Sequence, residues 1–251
     1  DFPTLDSLVS ARCRDVLAEC LTDIDGMQGQ IAVVDAQTQR LLSWCTLERA
    51  ADDVSPAPLL KKFCSAELMM PFLAAMSLAR SGTSMADSVD TGQGILELND
   101  SVRIRDHNWR RGGYGMLTFR QALLNKSRIG MYRAMMTLPD GEDFWKFATD
   151  QTKNTNAMEL AQAFNALYHI PSDDMPALCR EYIRAIAVGM FKKGGIQHRR
   201  APKKVKLAGV YNVADDGTEQ TFAFVGCFPA RKPKYAVSMV VQRKHKLPAS
   251  P

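Results

Sequence analysis

Apolar residues recur at helical spacing over residues 6–22, where Leu8, Val9, Val16, Leu17, Cys20 and Leu21 stand among charges. Gly26 and Gly29 interrupt that pattern. Residues 30–34 and 40–44 then flank the polar stretch Asp35-Ala-Gln-Thr-Gln39, which predicts a β-hairpin. Pro56 and Pro58 mark a loop, after which residues 66–79 are apolar nearly throughout and predict a helix closed by Ser81-Gly82. Residues 88–116, rich in Gly, Asp and Arg, predict an ordered excursion. Further helices are predicted over 118–124, 144–150, 156–168 and 175–191. The chain closes on strands at 205–213, 221–228 and 235–242, with turns at Asp215-Asp-Gly217 and Pro229-Ala-Arg-Lys-Pro233. Strands at both ends with helices between them predict an α+β fold whose N- and C-terminal strands share one antiparallel sheet.

Composition narrows the class. The 251 residues are 46% hydrophobic and 24% charged, an ordinary globular balance that can bury one large core or two small ones. No apolar run reaches the roughly 18 residues of a transmembrane helix. The opening Asp1-Phe-Pro-Thr4 has neither an initiator Met nor a signal core, and reads as a piece of a longer polypeptide. The net charge of +5 hides an asymmetry: residues 1–100 carry 7 basic and 15 acidic side chains, residues 101–251 carry 25 and 12. Two dense basic stretches, 192–206 and 231–246, contain no acidic residue. Such stretches attract phosphate, nucleic acid or an anionic membrane surface, although a solvated face is their commoner meaning. No helix-turn-helix, zinc-finger or aromatic RNA-binding signature is present, so nucleic acid is not an expected partner.

Six cysteines (13, 20, 45, 64, 179 and 227) are scattered without a C-x-x-C or a metal-ligand cluster. Cys13 and Cys20 fall about 10.5 Å apart along a helix axis, beyond the roughly 7 Å reach of a disulfide. They read as small buried hydrophobes. His107 in Asp106-His-Asn108 has no second ligand at metal spacing and reads as part of an ordered loop. Neither a metal nor a cofactor is expected.

One co-linear set of segments is more specific. Thr4-Leu-Asp6, the stretch from Ile31-Ala-Val-Val-Asp-Ala-Gln-Thr-Gln-Arg to Leu41-Leu-Ser43, Asp90-Thr-Gly-Gln-Gly94, Ile104-Arg-Asp-His-Asn108 and Arg111-Gly-Gly-Tyr-Gly115 follow one another in order. Lys206-Leu-Ala-Gly209, Phe224-Val-Gly-Cys-Phe-Pro-Ala230 and Pro233-Lys-Tyr-Ala236 complete the series. Together they resemble the transpeptidase domain of monofunctional (class B) penicillin-binding proteins across nearly the whole chain. The resemblance implies a single transpeptidase-like domain over 1–251, of the penicillin-binding transpeptidase and serine β-lactamase-like fold. That fold has a central five-stranded antiparallel sheet flanked by helices, plus a mostly helical subdomain. It also implies an acyl-transfer triad, S-x-x-K, S-x-N and K-[ST]-G, acting on D-alanyl-D-alanine peptides.

The triad is substituted throughout. Aligning Pro71-Phe-Leu-Ala-Ala75 puts Glu67 at the nucleophile and Met70 at the general base. Aligning Ala122-Leu123 puts Lys126 and Arg128 at the second motif, and Leu207-Ala-Gly209 puts Val210, Tyr211 and Asn212 at the third. Glu67 is expected in the first turn of its helix, where its carboxylate is stabilised as an anion and would repel a substrate carboxylate. Met has no proton to exchange. No S-x-x-K and no K-[ST]-G occurs anywhere in the sequence. The segment between Leu138 and Asn156 is also shorter than the family pattern.

Three functional readings follow. The first is a catalytically inactive, transpeptidase-like pseudoenzyme. It would serve as a binding or scaffolding module in peptidoglycan synthesis or cell division, with cell-envelope or division proteins as partners. The family context implies an extracytoplasmic, periplasmic location, with membrane attachment only through an N-terminal anchor preceding residue 1. The second is an active acyl-transfer enzyme or hydrolase on cell-wall peptides with a replaced nucleophile, Cys64 or Ser127. Cys64 and Ser65 precede a helix start, which favours a thiolate. Tyr211 is a fainter acid–base candidate. The third is a sensor of peptidoglycan peptides, with Lys126, Arg128 and Asn212 holding a carboxylate.

Overall fold

The computed structural model describes residues 6–51, 53–58, 62–63, 67–99, 102–151, 155–169 and 175–245. The chain divides into two compact units. One comprises Asp1–Leu68, Gln151–Ile170 and Gly209–Pro251; the other comprises Met69–Asp150 and Pro171–Ala208.

The first unit is a sheet with a helix on each face. Helix α1 (Ser7–Asp23) starts where Asp6 accepts the Val9 amide at 2.9 Å, a side-chain cap for one of the helix's orphan donors. Strands β1 (Gln28–Asp35), β2 (Leu41–Ala50) and β3 (Asp53–Pro56) follow. The sheet order is β3-β2-β1-β10-β9-β8, where β8 is Ala208–Asp215, β9 is Glu219–Phe228 and β10 is Tyr235–Lys244. The expected five strands are therefore six. The extra one, β3, is short and largely polar, and pairs only along the edge of β2 from Leu47↔Pro56 to Ala50↔Asp53. Strand β1 is central: it runs antiparallel to β2 and to β10, with Gln28 opposite Gln242 and Asp35 opposite Tyr235. The terminal strands thus share one antiparallel sheet, as their patterning predicts.

Alternation sorts the side chains of β1 to two helices. Ile31 and Val33 join Cys13, Leu17, Leu21, Leu42 and Leu47 in the core under α1. On the other face lies α6 (Ala157–Tyr168), capped by Asn156 and Glu159 in a reciprocal box. Fully buried Gln30 accepts the Ala157 amide at 3.1 Å, and buried Ser238 donates to the Ala157 carbonyl. Two polar core residues thereby satisfy the start of α6. Near its far end the Tyr168 hydroxyl donates to the Ala230 carbonyl at 2.6 Å.

The second unit is mostly helical. Its centre is α2 (Met70–Ser81), whose apolar residues pack against α4 (Arg128–Met135) and α7 (Ala177–Gly189). Helix α2 begins four residues later than its apolar run predicts. Pro71 has no N–H to bond the Glu67 carbonyl, and Glu67 itself has φ +58°, so the helix does not run back through Glu67; Ala66 lies outside the described residues. The 88–116 excursion holds two small ribbons, β4 (Ser88–Asp90) with β7 (Met116–Thr118) and β5 (Ile95–Asn99) with β6 (Val102–Arg105). Thr118 and Gln121 form a capping box on α3 (Phe119–Leu124), and α5 (Gly141–Gln151) follows α4.

Candidate functional site

The positions that align with the acyl-transfer motifs fall in both units. Glu67, Val210, Tyr211 and Asn212 belong to the sheet unit; Met70, Lys126 and Arg128 belong to the helical unit. Within each unit the local structure decides what these side chains can do.

Glu67 sits in a turn, not in the first turn of the helix. Its left-handed backbone is uncommon for a residue with a side chain. Met70 opens α2 and is wholly buried. It is a core residue by position as well as by chemistry. Val210 is likewise wholly buried in β8, with Tyr211 and Asn212 half-buried beside it. Just before them, a Cβ added to Gly209 would lie 2.2 Å from the Val225 carbonyl oxygen, so β8 closes on β9 where no side chain fits.

The second motif region is the most ordered. Helix α3 ends at Asn125, and Lys126 takes φ +55° to turn the chain. The Lys126 amide donates to the Leu123 carbonyl at 3.0 Å and the Ser127 amide to the Ala122 carbonyl at 2.9 Å. Ser127 then caps α4, a helix absent from the sequence-level reading: its Oγ accepts the Gly130 amide at 2.9 Å. The same hydroxyl donates to Asp106 Oδ2 at 2.8 Å, while Asp106 Oδ1 accepts the Ile129 amide at 3.1 Å. Ser127 and Asp106 are both fully buried. Asp106 is in turn fixed at the end of β6 through its amide, which donates to the Gly94 carbonyl at 2.9 Å.

This arrangement gives Ser127 a structural role. Its proton is held by Asp106, its lone pair by a helix amide, and water has no approach, so it is not placed to attack a substrate. What it does is hold Lys126 and Arg128, both half-buried, on either side of a fixed point. Asp106 is the residue that sequence reasoning underrated; its signal was a carboxylate inside an otherwise matching segment, Ile104-Arg-Asp106.

The other candidates separate cleanly. Cys64 and Ser65 lie outside the described residues. His107 Nε2 and the Tyr114 hydroxyl share a hydrogen bond of 2.8 Å, with the rings edge to face. Burial lowers the imidazole's pKa against the opposing pull of Asp106, and burial, aided by Asp106, pushes the Tyr114 phenol up to about 12. The pair is therefore neutral at physiological pH and works as a loop clasp. Among the described residues no group of His, Cys, Asp and Glu is arranged to hold a metal ion.

The fold is found in known structures. A crystal structure of a peptidoglycan glycosyltransferase from Burkholderia ambifaria superposes with a TM-score of 0.77 over 96% of this chain and 90% of that one, at 19% sequence identity. The apo TP (transpeptidase) domain of penicillin-binding protein 3 from Burkholderia pseudomallei superposes with a TM-score of 0.75 over 96% of this chain and 88% of that one, also at 19% identity. The chain has the fold of a penicillin-binding transpeptidase domain. At this identity the likeness is one of fold. No protein-family model matches the chain, and no curated protein matches its sequence.

Proposed function

We propose that this chain is a non-catalytic module built on the transpeptidase fold, serving as a binding or scaffolding partner in extracytoplasmic cell-wall synthesis or division. Met70 supports the reading most directly: the position of the general base is filled by a side chain that is both aprotic and wholly buried. Buried Val210 at the third motif points the same way, since it offers no hydroxyl and no cation. In this reading the partners are envelope or division proteins, and attachment to the membrane is through a segment preceding residue 1. The deciding experiment is intact-protein mass after exposure to benzylpenicillin and, separately, to a thioester analogue of a D-Ala-D-Ala substrate. Unchanged mass in both is the expected result. A stoichiometric adduct would overturn the proposal, and peptide mapping would place the nucleophile, Cys64 being the first residue to inspect.

A second reading rests on Lys126 and Arg128, held by the Asp106–Ser127 bond. In this reading the two cations would bind the terminal carboxylate of a peptidoglycan peptide without turning it over. Titration calorimetry with a D-Ala-D-Ala peptide tests it: heat that vanishes in Lys126→Gln/Arg128→Gln supports it, and no heat in the parent protein removes it.

A further inference from the structure

Independently of the motif positions, the helical unit carries a surface built for negative charge. Between Tyr182 and Ala214 the chain has no acidic residue, and residues 192–206 alone hold seven Lys and Arg. The segment is not a loose tail. After α7 it folds through consecutive turns, with Gly195 N–H donating to the Lys192 carbonyl at 2.9 Å and His198 N–H to the Gly195 carbonyl at 3.1 Å. Gln197 N–H reaches back to the Met190 carbonyl at 3.1 Å, and Ile196 N–H donates to the Leu124 carbonyl at 3.1 Å. Gly195 and Gln197 face inward; a Cβ on Gly195 would fall 2.2 Å from the Gly189 carbonyl oxygen, so only glycine lets the turn seat that deeply. Facing outward are Lys192, Lys193, Arg199, Lys203, Lys204 and Lys206, all exposed. Among the described residues none of these six has an ion-pair partner.

The same segment exposes two aliphatic side chains, Ile196 at 41% and Val205 at 42%. Cations interleaved with exposed aliphatics suit a boundary that is anionic at its face and apolar just beneath. Single-stranded nucleic acid calls instead for aromatic stacking platforms, and no residue in 192–206 is aromatic other than His198. A soluble phosphate needs no aliphatic neighbour. We propose that the 192–206 segment is a peripheral contact for the anionic phospholipid headgroups of a bilayer, with Ile196 and Val205 entering the interfacial layer. This contact is additional to any anchor and does not depend on the non-catalytic reading.

The test is co-sedimentation of the protein with vesicles of phosphatidylcholine containing about a third phosphatidylglycerol, and with vesicles of phosphatidylcholine alone. Binding to the first only, released by salt that shortens the Debye length to a few ångströms, is expected. Lys203→Gln/Lys204→Gln/Lys206→Gln should weaken it by about tenfold or more. Ile196→Ser should weaken it at unchanged charge. All four positions are exposed, so the variants retain the fold; unchanged melting curves check that. No binding to the acidic vesicles, or equal binding by the triple variant, overturns the proposal. So does equal affinity for a poly-dT oligonucleotide, or full displacement by millimolar inorganic phosphate, each of which would identify a different ligand.

Discussion

Asp106 and Ser127 stand 21 residues apart in the chain and share a fully buried hydrogen bond of 2.8 Å. Through it, the end of ribbon strand β6 is tied to the start of α4, and the turn carrying Lys126 and Arg128 is held by four further bonds, from the Lys126, Ser127, Ile129 and Gly130 amides.

Removing either partner should therefore destabilise the protein without touching any exposed surface. Ser127→Ala loses a helix cap and leaves a buried carboxylate oxygen short of a donor, an expected cost of about 1–3 kcal/mol. Asp106→Ala should cost more, because it strands both the Ile129 amide and the hydroxyl. The double variant should be less destabilised than the sum of the singles. Chemical denaturation of the four proteins checks the set.

Met70→Lys puts the family's general base back where the alignment places it. In this structure that position is wholly buried, so the new ammonium must lose its charge or open the core. A loss of at least about 2 kcal/mol in stability is expected, with no acylation by benzylpenicillin even when Glu67→Ser is added. A stable, acylated double variant would show that the cleft still accommodates the chemistry.

Gly209→Ala should be costly despite adding one methyl. The new Cβ would meet backbone, not a yielding side chain, at 2.2 Å from the Val225 carbonyl. A loss of about 1–3 kcal/mol is expected from such overpacking. Thermal melting compared with Gly217→Ala, where φ is +87° but nothing lies within 4 Å, separates the close approach from the cost of placing alanine at positive φ.

The thiols should be unreactive in the native protein. Burial pushes Cys227 up to about 12 and Cys45 up to about 11, and raises Cys13, Cys20 and Cys179 as well. Iodoacetamide near pH 8 should label none of these five before unfolding and all of them after, read by peptide mass. Rapid native labelling of Cys227 would contradict its burial.

Two turns should make stability fall in acid. Asp216 is held down to about 2 by the Thr218 hydroxyl and by the Glu219 and Thr218 amides, and Asp35 is lowered chiefly by the Thr38 amide. Both carboxylates have folded pKa values below the unfolded value of about 3.9. Their stabilisation is thus complete above that value and is lost as pH falls through it. Urea midpoints should drop between about pH 5 and pH 2.5, and the drop should be smaller in Asp216→Asn, which keeps the acceptor but cannot titrate.

Much of this architecture is legible in the sequence, for reasons tied to particular residues. The runs Ile31–Val34 and Tyr235–Gln242 read as strands because β-branched and small apolar residues fill a sheet covered on both faces. The beginning of α2 was misplaced because an apolar run says nothing about where its first free amide must be; Pro71 decides that. Helix α4 was overlooked although Ile129, Met131, Ala134 and Met135 are all buried along it, because Ser127 was weighed as a nucleophile when its use is to cap. Strand β3 and the two ribbons are too short and too exposed to carry an alternating signal. The Asp106–Ser127 bond was out of reach altogether, since no local pattern joins residues on either side of β7 and α3.

The pairing of β1 with β10 has a consequence for how the chain is made. Gln28 must wait for Gln242, so the central pair of the sheet cannot form until β10 has emerged. In the meantime Ile31–Val34, destined for burial on both faces, has α1, β2 and α6 as neighbours but an open edge where β10 belongs. The helical unit, encoded almost wholly between the two halves of the sheet, is free to form first. Such distant pairings slow folding and leave an apolar strand open to wrong partners. A nascent chain halted before β10 would be an aggregation hazard, and one released after it a folded domain.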